Sequence, residues 1–307
     1  MSFGKVAIVG LGLLGGSIGL AVKARLPDLR TTGYDADPWV RDRAAMRGLV
    51  DSVAHDPADA VRGAALVVLC VPVGAMAAAA ASIAPGLSPQ AVVSDVGSSK
   101  EGVGAALARA LPGATIIPAH PVAGTEQSGP DAGFATLFDK RWCILTPPAD
   151  APEDRLAALA AFWRGLGSMV EVMDAAHHDR VLAVTSHIPH LIAYTIVGTA
   201  SDLEEVTRSE VIKYSAGGFR DFTRIAASDP TMWRDVFLHN RDAVLEVMAR
   251  FQSDLDAMRD AIAAGDGEAM FDLFTRTRAI RRSIVATGQD DARPDFGRDH
   301  DLQEKTP

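Results

Sequence analysis

The stretch Lys5-Val-Ala-Ile-Val9-Gly10-Leu-Gly12-Leu-Leu-Gly15-Gly16-Ser17 decides how the chain begins. An apolar run over Lys5–Val9 fits a strand buried on both faces. A G-x-G-x-x-G motif follows at once and opens a helical stretch, Gly15–Arg25. In that setting each glycine has a task. Gly10 permits the tight turn, Gly12 lets a pyrophosphate approach the backbone, and Gly15 lets the helix pack close to the strand. The helix N-terminus adds N–H groups and a dipole for phosphate. The motif alone is weak; a strand before it and a helix after it make it specific. Leu13 and Leu14 of the same loop are further candidate cofactor contacts. Asp35 stands twenty residues after Gly15, at the end of a second strand-like run, Arg30–Tyr34. A carboxylate there accepts hydrogen bonds from ribose hydroxyls and repels a 2′-phosphate, so NAD is the expected cofactor and NADP the less favoured one. Asp37 is a weaker candidate for the same role.

Outward from this loop, strands and helices alternate. Pro38–Arg47 reads as helix, Ala65–Val71 as strand, Ala75–Ala84 as helix, Ala91–Ser94 as strand, Lys100–Ala110 as helix and Thr115–Pro118 as strand. Val71 and Pro72, at the end of the third strand, are candidate cofactor contacts. A loop rich in Gly and Pro leads to a strand at Trp142–Thr146, a helix at Glu153–Leu166 and a strand at Met169–Met173. Alternation at this spacing implies parallel βαβ units in a doubly wound α/β sheet of the Rossmann type. After Asp174 the strand signal vanishes, and helices are expected near 175–200, 202–213, 218–227, 230–264 and 266–286. Within 230–264, Val244, Met248, Phe251, Leu255, Met258 and Ile262 are spaced 4, 3, 4, 3, 4. That is an a/d seam needing an apolar partner, which points to an all-α dimerisation domain. The expected organisation is therefore a cofactor domain over 1–173, a helical dimerisation and substrate domain over 174–287, and a disordered tail over 288–307. The tail carries six acids, three bases and no periodicity.

Composition narrows the function. With 307 residues, 48% hydrophobic and 22% charged, the chain reads as an ordinary globular protein. A net charge of −9 argues against nucleic acid as partner. It leaves room for a small anionic substrate held by a local arginine. Cys70 and Cys143 lie in apolar runs and are expected as buried thiols in a reducing cytoplasm. Gly63–Ala84 is apolar enough to suggest a membrane span. Pro72 in its middle makes a strand followed by an alanine-rich helix the better account, so no membrane partner is expected.

A second group of motifs lies beyond the later strands. Asp95-Val-Gly97-Ser98-Ser99-Lys100-Glu101 contains S-x-x-E, a capping-box pattern that makes Ser98 a helix start. His120 sits between Ala119 and Pro121 directly after a strand end. The G-x-G-x-x-G loop, D-x-G-S-x-K (95–100), H-P-V-A-G-T-E (120–126), S-H-I-P-H (186–190) and G-G-F-R-D-F-T-R-I-A-A-S-D-P-T-M-W (217–233) occur in that order. Together they resemble the prephenate/arogenate (cyclohexadienyl) dehydrogenases of tyrosine biosynthesis, from about residue 4 to about residue 285. The resemblance implies oxidation of a ring C4 hydroxyl with loss of the ring carboxylate. It implies His120 as the group accepting the hydroxyl proton, and imidazole titrates in a suitable range for that. It implies Ser98 as the serine that bonds the reacting hydroxyl and orients the histidine. Arg224 would hold a substrate carboxylate, and His190, Glu126, Trp233 and Ser99 would complete the substrate pocket.

Each of these residues has a plainer reading. Arg224 can be a surface ion pair, Trp233 a core residue and Ser98 a cap. His187 and His190 are three apart, but Pro189 intervenes and no third ligand is near, so no metal is expected. His177 and His178 are expected exposed at a helix start. Arg220 stands where relatives often carry lysine, which leaves a role across subunits in doubt. Two rival functions stay open. One is another two-domain dehydrogenase, such as a 3-hydroxyacid dehydrogenase. Those rely on a lysine in the helical domain, and Lys213 is the only lysine between Asp174 and Arg298. The other is a protein that binds NAD without chemistry.

Overall fold

Strand β1 (Lys5–Val9) lies between β2 (Arg30–Tyr34) and β4 (Leu66–Leu69), parallel to both, with Val9 level with Tyr34 on one side and Leu69 on the other. The computed structural model that shows this describes residues 3–125, 127–202 and 217–286. Strands β3 (Ser52–Val53), β5 (Val92–Asp95) and β6 (Thr115–Ile116) complete a six-stranded parallel sheet of order β3-β2-β1-β4-β5-β6. Side chains alternate between its two faces. Val6, Ile8, Leu66 and Val68 enter one core, with Ile18, Phe138 and Trp163. Ala7, Val9, Val67 and Leu69 enter the other, with Met76, Val103 and Leu107. Both faces are covered, which is why Val6–Val9 of β1 and Leu66–Leu69 of β4 are apolar at every position.

The glycine loop has the geometry its spacing demands. Gly10 has φ +96°, and a Cβ there would stand 2.4 Å from the Cys70 carbonyl oxygen. A Cβ on Gly15 would stand 1.9 Å from the Gly10 oxygen. Helix α1 (Leu13–Arg25) begins two residues earlier than expected, with Gly12 as its cap residue. The helix expected over Pro38–Arg47 is α2, ended by Gly48 in the left-handed region. A short helix α3 (Pro57–Val61), capped by Asp56, was not anticipated from the sequence, nor was the two-residue β3. Helices α4 (Met76–Ile83), α5 (Glu101–Ala110) and α6 (Glu153–Gly165) follow the expected order.

Three expectations are corrected. The later strands do not extend the main sheet. β7 (Ala119–Pro121), β8 (Trp142–Leu145) and β9 (Met169–Val172) form a separate three-stranded sheet, antiparallel between β7 and β8 and parallel between β8 and β9. Pro118 has no N–H to continue the ladder beside β5, and its carbonyl accepts from Thr146 N instead (2.9 Å). The capping box fails too. Lys100, not Ser98, precedes α5, and no local side chain caps it. The helix expected near 175–200 is present as one continuous run, Ala175–Asp202, with a π turn over Ala183–His187 between α7 (Ala175–Leu182) and α8 (Ile188–Asp202). Pro189 cannot donate to the carbonyl four residues back, which loosens that turn. The 34-residue helix is two helices, Pro230–His239 and Arg241–Ala264, separated at Asn240. The expected 202–213 helix falls almost wholly outside the described residues, and the 288–307 tail lies entirely outside them.

By its contacts the chain forms two compact units, 1–200 with 225–247 and 201–224 with 248–307. The second contains helix Gly217–Thr223, most of Arg241–Ala264 and all of Gly267–Ala286. Its apolar residues Phe251, Leu255, Ile262, Phe271, Phe274 and Ile280 are exposed. Leu255, Met258 and Ile262 also line a depression of about 410 Å³.

Gly15 and Gly12 make a paired prediction. Gly15→Ala should destabilise the protein by about 1–3 kcal/mol through overpacking. Gly12→Ala should stay within about 0.5 kcal/mol of the parent, because nothing lies within 4 Å of the added Cβ. Urea unfolding midpoints measure both, and equal costs would contradict the close packing at Gly15.

Candidate active site

All six strands of the main sheet run the same way, so the segments after β1, β2, β4 and β5 leave one edge. They carry Gly10–Gly12, Asp35, Val71–Pro72 and Asp95–Lys100. The chain order reverses at β1 and β4, the place where open α/β sheets bind ligands. Gly12 has no side-chain cap bond, and the first turn of α1 has no acidic residue. Open space at Gly12 and uncapped N–H groups fit a pyrophosphate. Asp35 is half-buried and braces this loop, its Oδ2 accepting from Leu11 N (2.8 Å) and its Oδ1 from Asp37 N (3.0 Å). Asp37 has another task, as its carboxylate caps α2 through Trp39 N (2.8 Å). Leu13, Leu14 and Val71 are half-buried and Pro72 is exposed.

Ala119 hangs on the end of β5, its N–H donating to Asp95 Oδ1 (3.3 Å) and its carbonyl accepting from Lys100 Nζ (2.7 Å). Lys100 and Asp95 also bond each other, both fully buried. Burial pushes the lysine pKa down and the carboxyl pKa up, each opposed by the charge of the other. This pair fixes the residue that follows, His120. The His120 ring is 7% exposed, and its Nδ1 lies 2.9 Å from His178 Nε2. His178 Nδ1 lies 2.8 Å from Asp179 Oδ1. The Asp179 carboxylate also accepts from Lys100 N (2.7 Å) and Glu101 N (3.0 Å), so it caps α5 from a distant part of the chain. His178, expected at the surface, is fully buried. Asn240, freed by the helix break, donates to the Asp179 carbonyl (2.8 Å) and to His187 Nδ1 (3.0 Å). Burial holds the His120 pKa well below the ordinary 6.5, and His178, Lys100 and His187 push the same way. Burial also lowers His178, and it pushes His187 down to about 4 against the pull of Asp179.

A second part of the site stands on α8 and the helix Pro230–His239. The His190 ring stacks on Trp233 with centroids 3.7 Å apart, and its Nδ1–H donates to the Ser186 carbonyl (2.8 Å). His187 meets Trp233 edge-on at 6.1 Å. Gly74 lies so close to Asp235 that a Cβ would stand 2.4 Å from its carboxylate. The Trp233 helix is thereby seated on the turn just after Pro72.

Of the residues expected from sequence, His120, His190 and Trp233 belong to the first unit, with the glycine loop and the segment carrying Ser98. Ser98 is half-buried, while Ser99 is fully buried and its hydroxyl has no bond among the described residues. Arg224 is half-buried and opens a 3₁₀ turn, Arg224–Ala227, in the second unit. Arg220 is exposed beside Asp221. Glu126 lies outside the described residues. Sequence reasoning missed Asp95, Lys100, His178, Asp179 and Asn240 as functional residues. The signals were present: the D-x-G-S-x-K ends themselves, a His-Asp pair within a helix, and an asparagine leading into an apolar seam. Among the described residues no cluster of His, Cys, Asp and Glu is placed to hold a metal. Both cysteines are free thiols, Cys143 buried and Cys70 half-buried. Ala175–Asp202 is long and apolar enough to cross a membrane by composition. It carries His178, Asp179 and His187 in bonds to neighbouring segments, which suits the interior of a folded domain.

A nucleotide-type glycine loop and a buried histidine, both anchored at the ends of one parallel sheet, define a dehydrogenase-like site. Two family models match: "Prephenate dehydrogenase, nucleotide-binding domain" over residues 18–172 and "Prephenate dehydrogenase, dimerization domain" over 174–276. The cyclohexadienyl dehydrogenase of Zymomonas mobilis subsp. mobilis is 46% identical over 92% of this chain and 96% of that protein. The prephenate dehydrogenase of Bacillus subtilis is 33% identical over 91% of this chain and 76% of that one. Among solved structures, Aquifex aeolicus prephenate dehydrogenase in complex with hydroxyphenyl propionate and NAD+ superposes with a TM-score of 0.85 at 32% identity, covering 92% of this chain and 99% of that one. The chain belongs to the prephenate dehydrogenase family and is an enzyme, an oxidoreductase of that kind.

The three depressed histidines predict a pH dependence of stability. Each is neutral in the folded protein at a pH where the unfolded ring, titrating near 6.5, takes up a proton. The stability they contribute is present above about 6.5 and lost as pH falls through the folded values, at up to about 1.4 kcal/mol per pH unit for each proton. Urea titrations should show stability falling between pH 6.5 and 5, and replacing His187 by Asn should flatten the slope. A level wild-type curve in that window would contradict the buried neutral histidines.

Proposed function

We propose that the chain catalyses NAD-dependent oxidative decarboxylation of prephenate, arogenate or both, giving 4-hydroxyphenylpyruvate or tyrosine. The observation that carries this reading is His120, buried beside His178 on a segment pinned to the end of β5, where burial pushes its pKa well below the ordinary 6.5. A neutral imidazole is able to take a proton at the pH where the reaction runs. As the C–H bond at ring C4 breaks with its electron pair, His120 takes the C4 hydroxyl proton. The bond to the ring carboxylate then breaks, its electron pair completes the aromatic ring, and CO₂ leaves. NAD, when bound, supplies the acceptor for the hydride.

The chain's own residues do the rest. Gly10, Gly12, Gly15, Leu13 and Leu14 form the cradle for the pyrophosphate side of the cofactor, with Val71 and Pro72 beside it. Asp35 meets the ribose and disfavours a 2′-phosphate. Ser98 bonds the reacting hydroxyl, and the stacked pair His190 and Trp233 forms a flat wall for the ring, with Ser99 behind Ser98. Arg224 holds a substrate carboxylate through its planar fork. Glu126 is assigned to the side chain, where prephenate carries a keto group and arogenate an amine. The exposed seam through Phe251, Leu255 and Ile262 supports a homodimer formed by the helical domain, with residues 1–173 as cofactor domain and 174–287 as dimerisation and substrate domain. A cytoplasmic location fits the free thiols.

Purified protein with NAD and either substrate should produce NADH absorbance at 340 nm. His120→Asn should lower turnover about 10²–10⁴-fold with little loss of NAD binding. No rate with both substrates would overturn the reading. Asp35→Ser should lower the ratio of kcat/KM for NAD over NADP by about tenfold or more, one tenfold step being about 1.4 kcal/mol. An unchanged ratio removes Asp35 from cofactor choice.

A further inference from the structure

We infer that His178 and Asp179 form a tautomer lock on His120, placing its proton on Nδ1 and leaving the Nε2 lone pair as the base. This rests on the reading of His120 as the group that accepts the hydroxyl proton. A carboxylate has no proton to donate, so the 2.8 Å contact between Asp179 Oδ1 and His178 Nδ1 requires the hydrogen on His178 Nδ1. His178 is fully buried and held neutral, so its Nε2 is then a bare lone pair. His120 Nδ1, 2.9 Å from that lone pair, must bring the next hydrogen. The His120 ring is neutral as well, so Nε2 is left unprotonated.

The lock is anchored at its far end. Asp179 cannot rotate away, because two backbone N–H groups, of Lys100 and Glu101, hold its oxygens, and Asn240 holds its carbonyl. The two rings meet edge to face, with centroids 5.1 Å apart. The opposite tautomer of His120 would set two lone pairs against each other in a buried site. When His120 takes the substrate proton at Nε2, its Nδ1–H stays bonded to His178, and the chain ends on a carboxylate. The charged and titratable groups around the new imidazolium are His178, Lys100 and His187. Asp179 and Asp95 act on its neighbour His178 and oppose the charge of Lys100 there. His178 and Asp179 are thus positioning residues that act through His120.

Nitrogen NMR of protein labelled in its histidine rings tests this without turnover. The wild-type His120 signals, assigned by their loss in His120→Asn, should report protonated Nδ1 and bare Nε2 at pH 7.5. Asp179→Asn offers an amide donor to His178 and should shift His120 toward the Nε2–H form. It should lower kcat about 10²-fold or more, by analogy with the wrong-tautomer effect of a triad Asp→Asn change, with KM values within a few-fold of the parent. Asp179→Glu should recover part of that loss, and His178→Gln, which keeps an acceptor for Nδ1–H, should stay more active than His178→Leu. A wild-type His120 protonated on Nε2 overturns the lock even if no variant at 178 or 179 folds, and so does a folded Asp179→Asn enzyme with parental kcat. A fully active His120→Asn enzyme with the predicted NMR signals would instead sink the base assignment and leave the lock standing.

Discussion

The Asp179 side chain is the point on which the site converges. It is nearly fully buried, and a buried carboxylate is costly unless its oxygens are bonded. Here three donors meet it: the N–H groups of Lys100 and Glu101, and the ring of His178. These donors come from two separate parts of the chain. The first two belong to the start of α5, the element that continues from the end of β5. The third belongs to α7, beyond the second sheet. One carboxylate therefore joins the parallel sheet to the helical part, and the ring that it orients is the one that touches His120. Removing it would leave a helix start uncapped and a histidine chain without its terminal acceptor. Structure and chemistry depend on the same group.

The buried pair Lys100–Asp95 supports this from below. A buried ion pair is seldom worth more than apolar groups of the same size, and breaking one side of it is far costlier than replacing both. Its presence is better explained by position than by stability. Lys100 reaches the Ala119 carbonyl and Asp95 reaches the Ala119 N–H, so together they clamp both polar groups of the residue before His120. The D-x-G-S-x-K motif thus holds two jobs in six residues. Its ends clamp the strand that carries His120, and its middle carries Ser98. Burial is the largest cause of the lowered His120 pKa, and the positive field of the same lysine pushes the same way.

The sheet and its glycine loop were legible in sequence because their signals are local. Apolar runs, a glycine at positive φ and a carboxylate twenty residues on depend only on neighbours along the chain. Arg30–Tyr34 and Pro38–Arg47 have the expected bounds. Lys5–Val9 is matched residue for residue. What failed was non-local. Ser98 and Glu101 satisfy a capping pattern, yet the cap comes from Asp179, about eighty residues away, because a fixed carboxylate outcompetes a local serine. Asn240 lies within a helical period, and nothing local breaks the helix there. Its side chain instead bonds Asp179 and His187, and the backbone gives way. His178 reads as surface because polar residues usually are; a buried histidine needs partners that only the fold supplies. The split into two sheets was missed for a related reason, since Pro118 ends one ladder but does not announce the next.

Acidity gives the last constraint. Under the proposed function, a substrate with two carboxylates has to enter a protein of net charge −9. The groups nearest the reacting centre do not offset that charge, because burial keeps His120, His178 and His187 neutral and Lys100 is already matched to Asp95. A neutral centre is what a base needs, since a prior positive charge on His120 would abolish its lone pair. The cation that draws in the substrate must then come from outside this buried cluster. Under the proposed function that cation is Arg224, which opens the 3₁₀ turn Arg224–Ala227. The buried cluster thus surrounds His120 with hydrogen-bonded groups and no uncompensated charge.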